Sequence, residues 1–193
     1  MAPDFARTEP ERVPVALTIA GSDSGGGAGI EADLKTFTSL GVFGAVALTA
    51  VTAQNTLGVP GVSVLDPGFV VAQLDAVLTD LQVDAAKTGM LATAAIIDAV
   101  ADAIQRHSVR NLVVDPVMVS KTRAPLLAPD ARDALVRRLL PLATVITPNI
   151  PEAEAILGVA IKSTSDARLA AQRLKDMGPE WVVVKGGHLQ DQS

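Results

Sequence analysis

The sequence contains no cysteine, no tyrosine and only 3% aromatic residues among its 193 positions. The absence of cysteine excludes disulfides, thiolate metal sites and a cysteine nucleophile within this chain. Apolar residues nevertheless make up 49% of the sequence. The core therefore has to consist of Val, Ile, Leu and Ala, which suits a buried parallel sheet better than a sandwich rich in aromatic residues.

Positive charge and long apolar runs are also scarce. Lys and Arg together number 16 against 21 acidic residues, the net charge is −5, and no basic cluster occurs, which argues against nucleic acid or an anionic membrane as a partner. No run approaches 18 apolar residues, and the polar N-terminus resembles neither a signal peptide nor a transit peptide. We expect a soluble cytoplasmic protein with a disordered lead-in at residues 1–12 and one domain over residues 13–193.

A glycine-rich segment at residues 21–29 organises the rest of the chain. An apolar run of strand length precedes it and a helical pattern follows it, so its backbone N–H groups and the helix N-terminus could receive a ligand. A Walker-type phosphate loop would need Lys where Gly27 stands. A dinucleotide fingerprint would need Gly or Ala where Ile30 stands. The loop therefore binds a ligand by another scheme or merely turns tightly.

Apolar runs alternate with helical patterns along the whole chain. Strands are predicted at residues 13–20, 42–53, 83–87, 111–115, 145–147 and 181–185. Helices are predicted at residues 28–40, after Asp66-Pro67, after Thr93, at residues 130–140 ending at Pro141, after Pro148, and after a cap at Thr164 or Ser165. This alternation predicts an α/β three-layer fold with a mostly parallel sheet.

The unusual polar and glycine residues all follow predicted strands. They are Gly21, Gln54, the segment from Thr88 to Met90, Pro116-Val117, Pro148-Asn149 and Gly186-Gly187. In parallel α/β sheets, ligands bind outside the carboxyl ends of the strands. The sequence therefore predicts a site at this edge of the sheet.

Seven segments, in register from residue 16 to about residue 189, carry a family resemblance. They are Leu17-Thr18-Ile19-Ala20-Gly21-Ser22-Asp23 with Gly25-Gly26-Gly27-Ala28-Gly29-Ile30, Ala32-Asp33-Leu34-Lys35-Thr36, Ala53-Gln54-Asn55-Thr56, Lys87-Thr88-Gly89-Met90-Leu91, Asp115-Pro116-Val117-Met118, Thr147-Pro148-Asn149-Ile150-Pro151-Glu152-Ala153 and Lys185-Gly186-Gly187-His188. Together they resemble the hydroxymethylpyrimidine/phosphomethylpyrimidine kinases of thiamine biosynthesis, in the ribokinase-like superfamily. The resemblance implies a ribokinase-like αβα fold, a homodimer, and Mg²⁺ with ATP as co-substrate. It also implies phosphorylation of 4-amino-5-hydroxymethyl-2-methylpyrimidine and then of its monophosphate.

Candidate pyrimidine-binding residues follow from side-chain chemistry and from the resemblance. Gln54 offers a donor and an acceptor that suit an aminopyrimidine, although the residue taken alone favours a strand-end amide that bonds to a loop. Asp33 lies within the apolar stripe of its helix, where a carboxylate needs a partner, or it is an acid favoured by the helix N-terminus. The resemblance implies that the pyrimidine contacts Gly21, Asp33, Thr52, Gln54, Met90 and Val117.

Candidate nucleotide-binding residues lie nearer the C-terminus. Asn149 and Glu152 form an Asn-x-x-Glu pattern, which by resemblance positions Mg²⁺ through water, although Glu152 alone reads as a first-turn acid. Lys185 is a solvated strand-end residue or, by resemblance, a point charge on ATP phosphate. His107 fits a helix C-terminus, and His188 receives no role.

Two departures from the family pattern affect the functional interpretation. Arg123 stands in a substrate-side loop where family members often have a glycine-containing segment. The Gly-Thr-Gly-Cys or Gly-Thr-Gly-Asp segment, which forms the anion hole and places the general base, is expected beyond Ser193. We therefore name no catalytic residue in this chain. Two alternatives stay open, a pyridoxine/pyridoxal kinase and a non-catalytic pyrimidine-binding remnant of a kinase.

Overall fold

The computed structural model describes residues 12–118 and 130–186. Its central element is a six-stranded sheet that contains β1 (Val15–Ala20), β2 (Phe43–Leu48), β5 (Ala85–Thr88), β6 (Leu112–Val114), β7 (Val145–Ile146) and β8 (Trp181–Val182). The strands lie in the order β2-β1-β5-β6-β7-β8, and every neighbouring pair is parallel. A separate antiparallel ribbon pairs β3 (Ala50–Ala53) with β4 (Gly61–Val64).

Helices connect the parallel strands and cover the sheet. They are α1 (Gly29–Ser39), α2 (Pro67–Asp80), α3 (Ala94–Arg106), α4 (Ala131–Ala134), α5 (Ile150–Leu157) and α6 (Thr164–Lys175). The connection through α1 leads to one side of β1, whereas the later connections step to the other side. Because parallel crossovers are right-handed, α1 covers one face and α2, α3 and α4 cover the other. Contacts of α2 with α3 and of α3 with α4 agree with this placement. The predicted α/β architecture with a parallel sheet is confirmed.

The main hydrophobic core lies between the sheet and the second set of helices. Leu17 and Ile19 of β1 are fully buried there, together with Ile96, Ile97 and Val100 of α3. A smaller core joins α5 to α6 through buried aliphatic residues such as Leu157 and Leu174. Aliphatic side chains therefore supply both cores, as the aromatic-poor composition predicts.

The prediction of one strand at residues 42–53 is wrong, because this segment forms two strands that belong to different sheets. Thr49 separates β2 from β3, and its side chain is fully buried. Its amide donates to the Ala20 carbonyl at 3.0 Å, and its hydroxyl donates to the Met90 carbonyl at 2.6 Å. These two bonds fix the point where the chain leaves the main sheet. Strand β4 was also not predicted.

The predicted helix at residues 130–140 is irregular. An α-helical turn, Ala131–Ala134, continues as a π-helical segment at Leu135–Leu139 and a 3₁₀ turn at Leu140–Leu142. Pro141 therefore lies inside the last turn, where its missing N–H is tolerated near a new N-terminus, and does not end the helix.

The predicted helix caps are confirmed at two positions and wrong at one. Asp66 accepts hydrogen bonds from the first turn of α2, and Thr93 accepts one from Ile96 at the start of α3. Helix α6 is capped by Ser163 and not by Thr164 or Ser165. The Ser163 hydroxyl accepts from the Asp166 amide while the Asp166 carboxylate accepts from the Ser163 amide, which is a reciprocal capping box.

Some expectations fall outside the described residues. They concern residues 1–11 of the predicted lead-in, the loop that contains Arg123, and His188. Arg12, the last residue of that predicted lead-in, forms an ion pair with Asp84. Within residues 12–118 and 130–186, no helix has the length and apolar character that a membrane span needs.

Candidate functional site

A cavity of about 590 Å³ lies at the carboxyl ends of β1 and β5. The glycine segment, the start of α1, the end of the ribbon and the residues after β5 and β6 line it. Strand β1 is the point from which the connections run to opposite sides of the sheet. Such a switch point leaves a crevice beyond the strand ends, where α/β proteins bind ligands. The cavity therefore occupies the predicted edge of the sheet.

The Asp23 carboxylate binds backbone N–H groups of the glycine segment to which it belongs. Asp23 is buried and accepts hydrogen bonds from the amides of Gly25, Gly27 and Ala28 at 2.8, 2.9 and 2.8 Å. Gly29 has a φ of 58°, and a Cβ there would lie 2.5 Å from the Gly21 carbonyl oxygen. Those three N–H groups are therefore used within the loop, which favours the tight-turn alternative over a bare anion-binding loop at these positions.

Asp33 is held by two donors from the neighbouring strands. The Thr18 hydroxyl donates to Asp33 Oδ2 at 2.6 Å, and the Lys87 ammonium donates to the same oxygen at 2.9 Å. Thr18 and Lys87 are register partners across β1 and β5. The partner that the sequence argument required for Asp33 is thus present, and both Asp33 and Lys87 line the cavity.

At the end of the ribbon, hydrogen bonds hold the Gln54 backbone and leave the Gln54 side-chain amide available. The Gln54 backbone N–H donates to the Ser24 hydroxyl at 2.7 Å, and that hydroxyl donates to the Gln54 backbone carbonyl at 2.7 Å. No hydrogen bond of the Gln54 side chain occurs within the part of the chain that the structure describes. Thr52 is buried, and its hydroxyl donates to the Ser22 carbonyl at 2.8 Å. Gln54 therefore presents free polar groups to the cavity, whereas the Thr52 hydroxyl holds the loop.

Apolar side chains form another wall of the cavity. Met90 is 8% exposed, and a Cβ at Gly21 would come within 2.3 Å of Met90 Cε. Glycine at residue 21 thus leaves the space that the methionine side chain fills. Val117 also lines the cavity. The structure brings the six predicted pyrimidine-contacting residues to one cavity, namely Gly21, Asp33, Thr52, Gln54, Met90 and Val117.

The predicted nucleotide-binding residues form a second cluster beside the cavity. Asn149 caps α5, because its side chain accepts from the Glu152 amide at 2.9 Å while Glu152 accepts from the Asn149 amide at 2.8 Å. Lys185 donates to Asp115 at 2.8 Å. Asn149, Glu152 and Lys185 do not line the cavity, but Asp115 does. Asp115 therefore links the two clusters.

Burial dominates the electrostatics of Glu152. Its side chain is almost fully buried, and this burial raises the pKa of the carboxyl. Hydrogen bonding from the Asn149 amide and the positive charge of Lys185 oppose this effect, whereas the negative charge of Asp115 adds to it. Among the described residues, no group of three or more His, Asp or Glu side chains is placed to hold a metal ion.

Three residues of this region were not predicted from the sequence to have a role. Asp23 closes the glycine loop, Lys87 pairs with Asp33, and Asp115 joins the cavity to Lys185. Of these three residues, Lys87 carried the clearest sequence signal of a role, because a lysine inside a strand of the sheet needs a counter-charge. The identity of each partner depends on the fold and could not be read from local spacing.

Comparisons with known proteins find one family with a similar sequence and fold. The sequence model described as phosphomethylpyrimidine kinase matches residues 23–193. The chain is 53% identical over 177 residues to the hydroxymethylpyrimidine/phosphomethylpyrimidine kinase of Salmonella typhimurium, covering 91% of this chain. A crystal structure of a phosphomethylpyrimidine kinase from Clostridium difficile is similar with a TM-score of 0.87 and 45% identity, covering 93% of this chain and 78% of that one.

A pyridoxal kinase is also structurally similar to this chain. The Bacillus subtilis enzyme, in an ADP complex, has a TM-score of 0.85 and 43% identity, over 94% of this chain and 69% of that one. The chain spans 64–66% of the length of curated relatives from Haemophilus influenzae and Salmonella typhimurium. Because the family model matches most of the sequence, this chain belongs to the phosphomethylpyrimidine kinase family.

Proposed function

We propose that this chain transfers the γ-phosphoryl group of ATP to the hydroxymethyl oxygen of 4-amino-5-hydroxymethyl-2-methylpyrimidine, and then phosphorylates the monophosphate. The observation that supports this proposal is the convergence of Gln54, Asp33 and Met90 on one cavity. An amide with free donor and acceptor groups, a carboxylate and an apolar wall match the edge and the face of an aminopyrimidine ring.

The proposed pyrimidine roles combine the family resemblance with side-chain chemistry. Gln54 pairs with the amino group and the ring nitrogen, and Asp33 accepts from a donor on the same edge of the ring. Met90 and Val117 contact the ring face beside Gly21. Thr52 contributes by holding the Ser22 backbone. We assign no general base among the described residues.

The ATP phosphates are proposed to lie between the cavity and the second cluster. Lys185 supplies a positive charge to the phosphates, and its present partner, Asp115, already faces the cavity. Enzymatic phosphoryl transfer depends on positioning and charge stabilisation more than on covalent chemistry. Mg²⁺ bound with ATP prefers oxygen ligands and keeps several waters. Glu152 is engaged in its capping box, so its contact with the ion would run through water, beside Asn149.

The central test replaces Gln54 with leucine. Gln54→Leu should weaken pyrimidine binding by about 1–3 kcal/mol, because the polar edge of the ligand would lose its partner, whereas ATP binding stays unchanged. Isothermal calorimetry measures both affinities, and Gln172→Leu, on the exposed side of α6, is the matched control. Equal pyrimidine affinity of Gln54→Leu and the unmodified chain would refute the assignment.

Turnover measurements distinguish pyrimidine phosphorylation from two other candidate functions. The similarity to pyridoxal kinases favours pyridoxal or pyridoxine as the second candidate substrate, so kcat/KM should be compared for pyrimidine and pyridoxal. A pyrimidine-binding protein without catalysis would bind the pyrimidine yet release no ADP above background in a coupled assay with Mg²⁺ and ATP.

The ribbon supports a proposed homodimer. Val62 and Val64 are 45% and 44% exposed on one face of β4, and exposed apolar surface often marks a contact surface. Light scattering should report twice the chain mass, and Val62→Lys should reduce it to one chain mass. An unchanged dimer in the variant would remove the ribbon from the interface.

Consumption of ATP by a biosynthetic kinase also supports a cytoplasmic location.

A further inference from the structure

We propose that Lys87 is a positioning residue that fixes which oxygen of Asp33 receives the ligand, and that it thereby selects for a hydrogen-bond donor on the pyrimidine. The inference deepens the proposed function and rests on it. Neither Lys87 nor its pairing with Asp33 enters the pyrimidine contacts assigned above.

The hydrogen bonds of Asp33 are divided unequally between its two oxygens. Oδ2 accepts from both the Thr18 hydroxyl and the Lys87 ammonium, at 2.6 and 2.9 Å. Within the described residues, Oδ1 has no hydrogen-bond partner, although the Asp33 side chain is only 14% exposed and lines the cavity. A carboxylate oxygen can only accept hydrogen bonds, so Oδ1 is a fixed acceptor that is open to a ligand.

The sheet holds this arrangement in place. Thr18 and Lys87 lie opposite each other across β1 and β5, so both donors reach Asp33 from the same face of the sheet. The Lys87 ammonium also lies next to the Gly89 backbone, since a Cβ built on Gly89 would be 3.5 Å from it. The orientation of the carboxylate is therefore set by two strands before any ligand enters.

A fixed acceptor distinguishes ligands by what they present to it. The exocyclic amine of the pyrimidine has two N–H groups. One can donate to the Gln54 side-chain carbonyl and the other to Asp33 Oδ1. A ligand that presents an oxygen acceptor at this place would leave two acceptors facing each other, which is unfavourable. Lys87 favours the amine because it and Thr18 saturate Oδ2 and leave only Oδ1 available.

The test measures binding by calorimetry with two ligands, the aminopyrimidine and the analogue in which hydrogen replaces the amine. We expect Lys87→Met to weaken binding of the aminopyrimidine about tenfold to a hundredfold and to leave analogue binding unchanged. In an Asp33→Asn background, Lys87→Met should have no further effect. Lys162→Met, at an exposed position away from the cavity, is the matched control and should bind both ligands as the unmodified chain does.

Each contrary result overturns a defined claim. Equal weakening for both ligands, or an effect of Lys87→Met that persists in the Asp33→Asn background, would make Lys87 a structural residue and refute the inference. If Lys87→Met does not fold, Lys87→Arg takes its place, because it keeps the charge but moves the donor, and the same outcomes apply. Failure of the unmodified chain to bind the aminopyrimidine would refute the proposed function itself, and the inference with it.

Discussion

Asp23→Asn is the substitution that most directly tests the closed glycine loop. One carboxylate oxygen of Asp23 accepts from Gly25, and the other accepts from Gly27 and Ala28. Asparagine has only one acceptor oxygen, so its amide nitrogen must face at least one of these N–H groups. Asp23 is 5% exposed, so little water reaches the position of the lost bond.

The size of the effect follows from these bonds. A hydrogen bond to a charged group contributes about 1.5–3 kcal/mol, and an unsatisfied buried donor adds a further cost. We therefore expect Asp23→Asn to lower the free energy of unfolding by about 2–4 kcal/mol. For a domain of this size, each kcal/mol corresponds to about 2–4 °C in Tm, so the expected decrease in Tm is about 4–16 °C.

Asp66→Asn provides the matched control for this experiment. Asp66 caps α2 with a single oxygen that accepts from Gly68 and Phe69, and asparagine is an equally good cap residue. Urea denaturation and a thermal scan should show a change below about 0.5 kcal/mol for this variant. Equal stability losses in the two variants would show that the three loop bonds of Asp23 do not stabilise the fold, and the reasoning would be wrong.

Three further predictions concern stability. Burial raises the pKa of Glu152 above its ordinary 4.5, so its neutral form is favoured in the folded state. Its contribution to stability is present below pH 4.5 and is lost as the pH rises through the raised pKa. Glu152→Gln should therefore remove this decrease in urea titrations across that range, and a variant with an unchanged pH profile would contradict the argument. Gly29→Ala should destabilise the chain by at least about 1 kcal/mol more than Gly41→Ala, since both glycines have positive φ but only Gly29 faces a backbone oxygen at 2.5 Å. Thermal scans of the two variants with equal Tm would refute the predicted clash. Thr88 has a buried hydroxyl without a partner among the described residues, so Thr88→Val should be neutral or stabilising in urea denaturation, and a loss above about 1 kcal/mol would contradict this.

The sequence was sufficient for elements whose signals are local. The Asp66-Pro67 pair marks the start of α2, and Thr93 followed by an apolar stripe marks α3, because capping and helical periodicity both act within a few residues. The placement of the site was also predictable, since polar residues that follow parallel strands must meet at one edge of the sheet.

Non-local contacts account for what the sequence could not predict. The break at Thr49 depends on carbonyl groups of Ala20 and Met90 that come from two other segments. Lys87 lies 54 positions from Asp33 in the sequence. Neither relation leaves a periodic signal, because spacing within a strand or a helix carries no information about the neighbouring element.

The pleat of the sheet connects the core to the candidate site. Alternation along β1 sends Leu17 and Ile19 into the main core and Thr18 to the opposite face. The register of β5 against β1 places Lys87 beside Thr18, and a slip of one residue would turn Lys87 into the apolar core. A partly buried lysine and a carboxylate in an apolar helix stripe are each unfavourable alone, yet each supplies the partner that the other requires. The two residues that look misplaced in the sequence are thus one structural feature, and the register that buries the core is the same register that orients Asp33 towards the cavity.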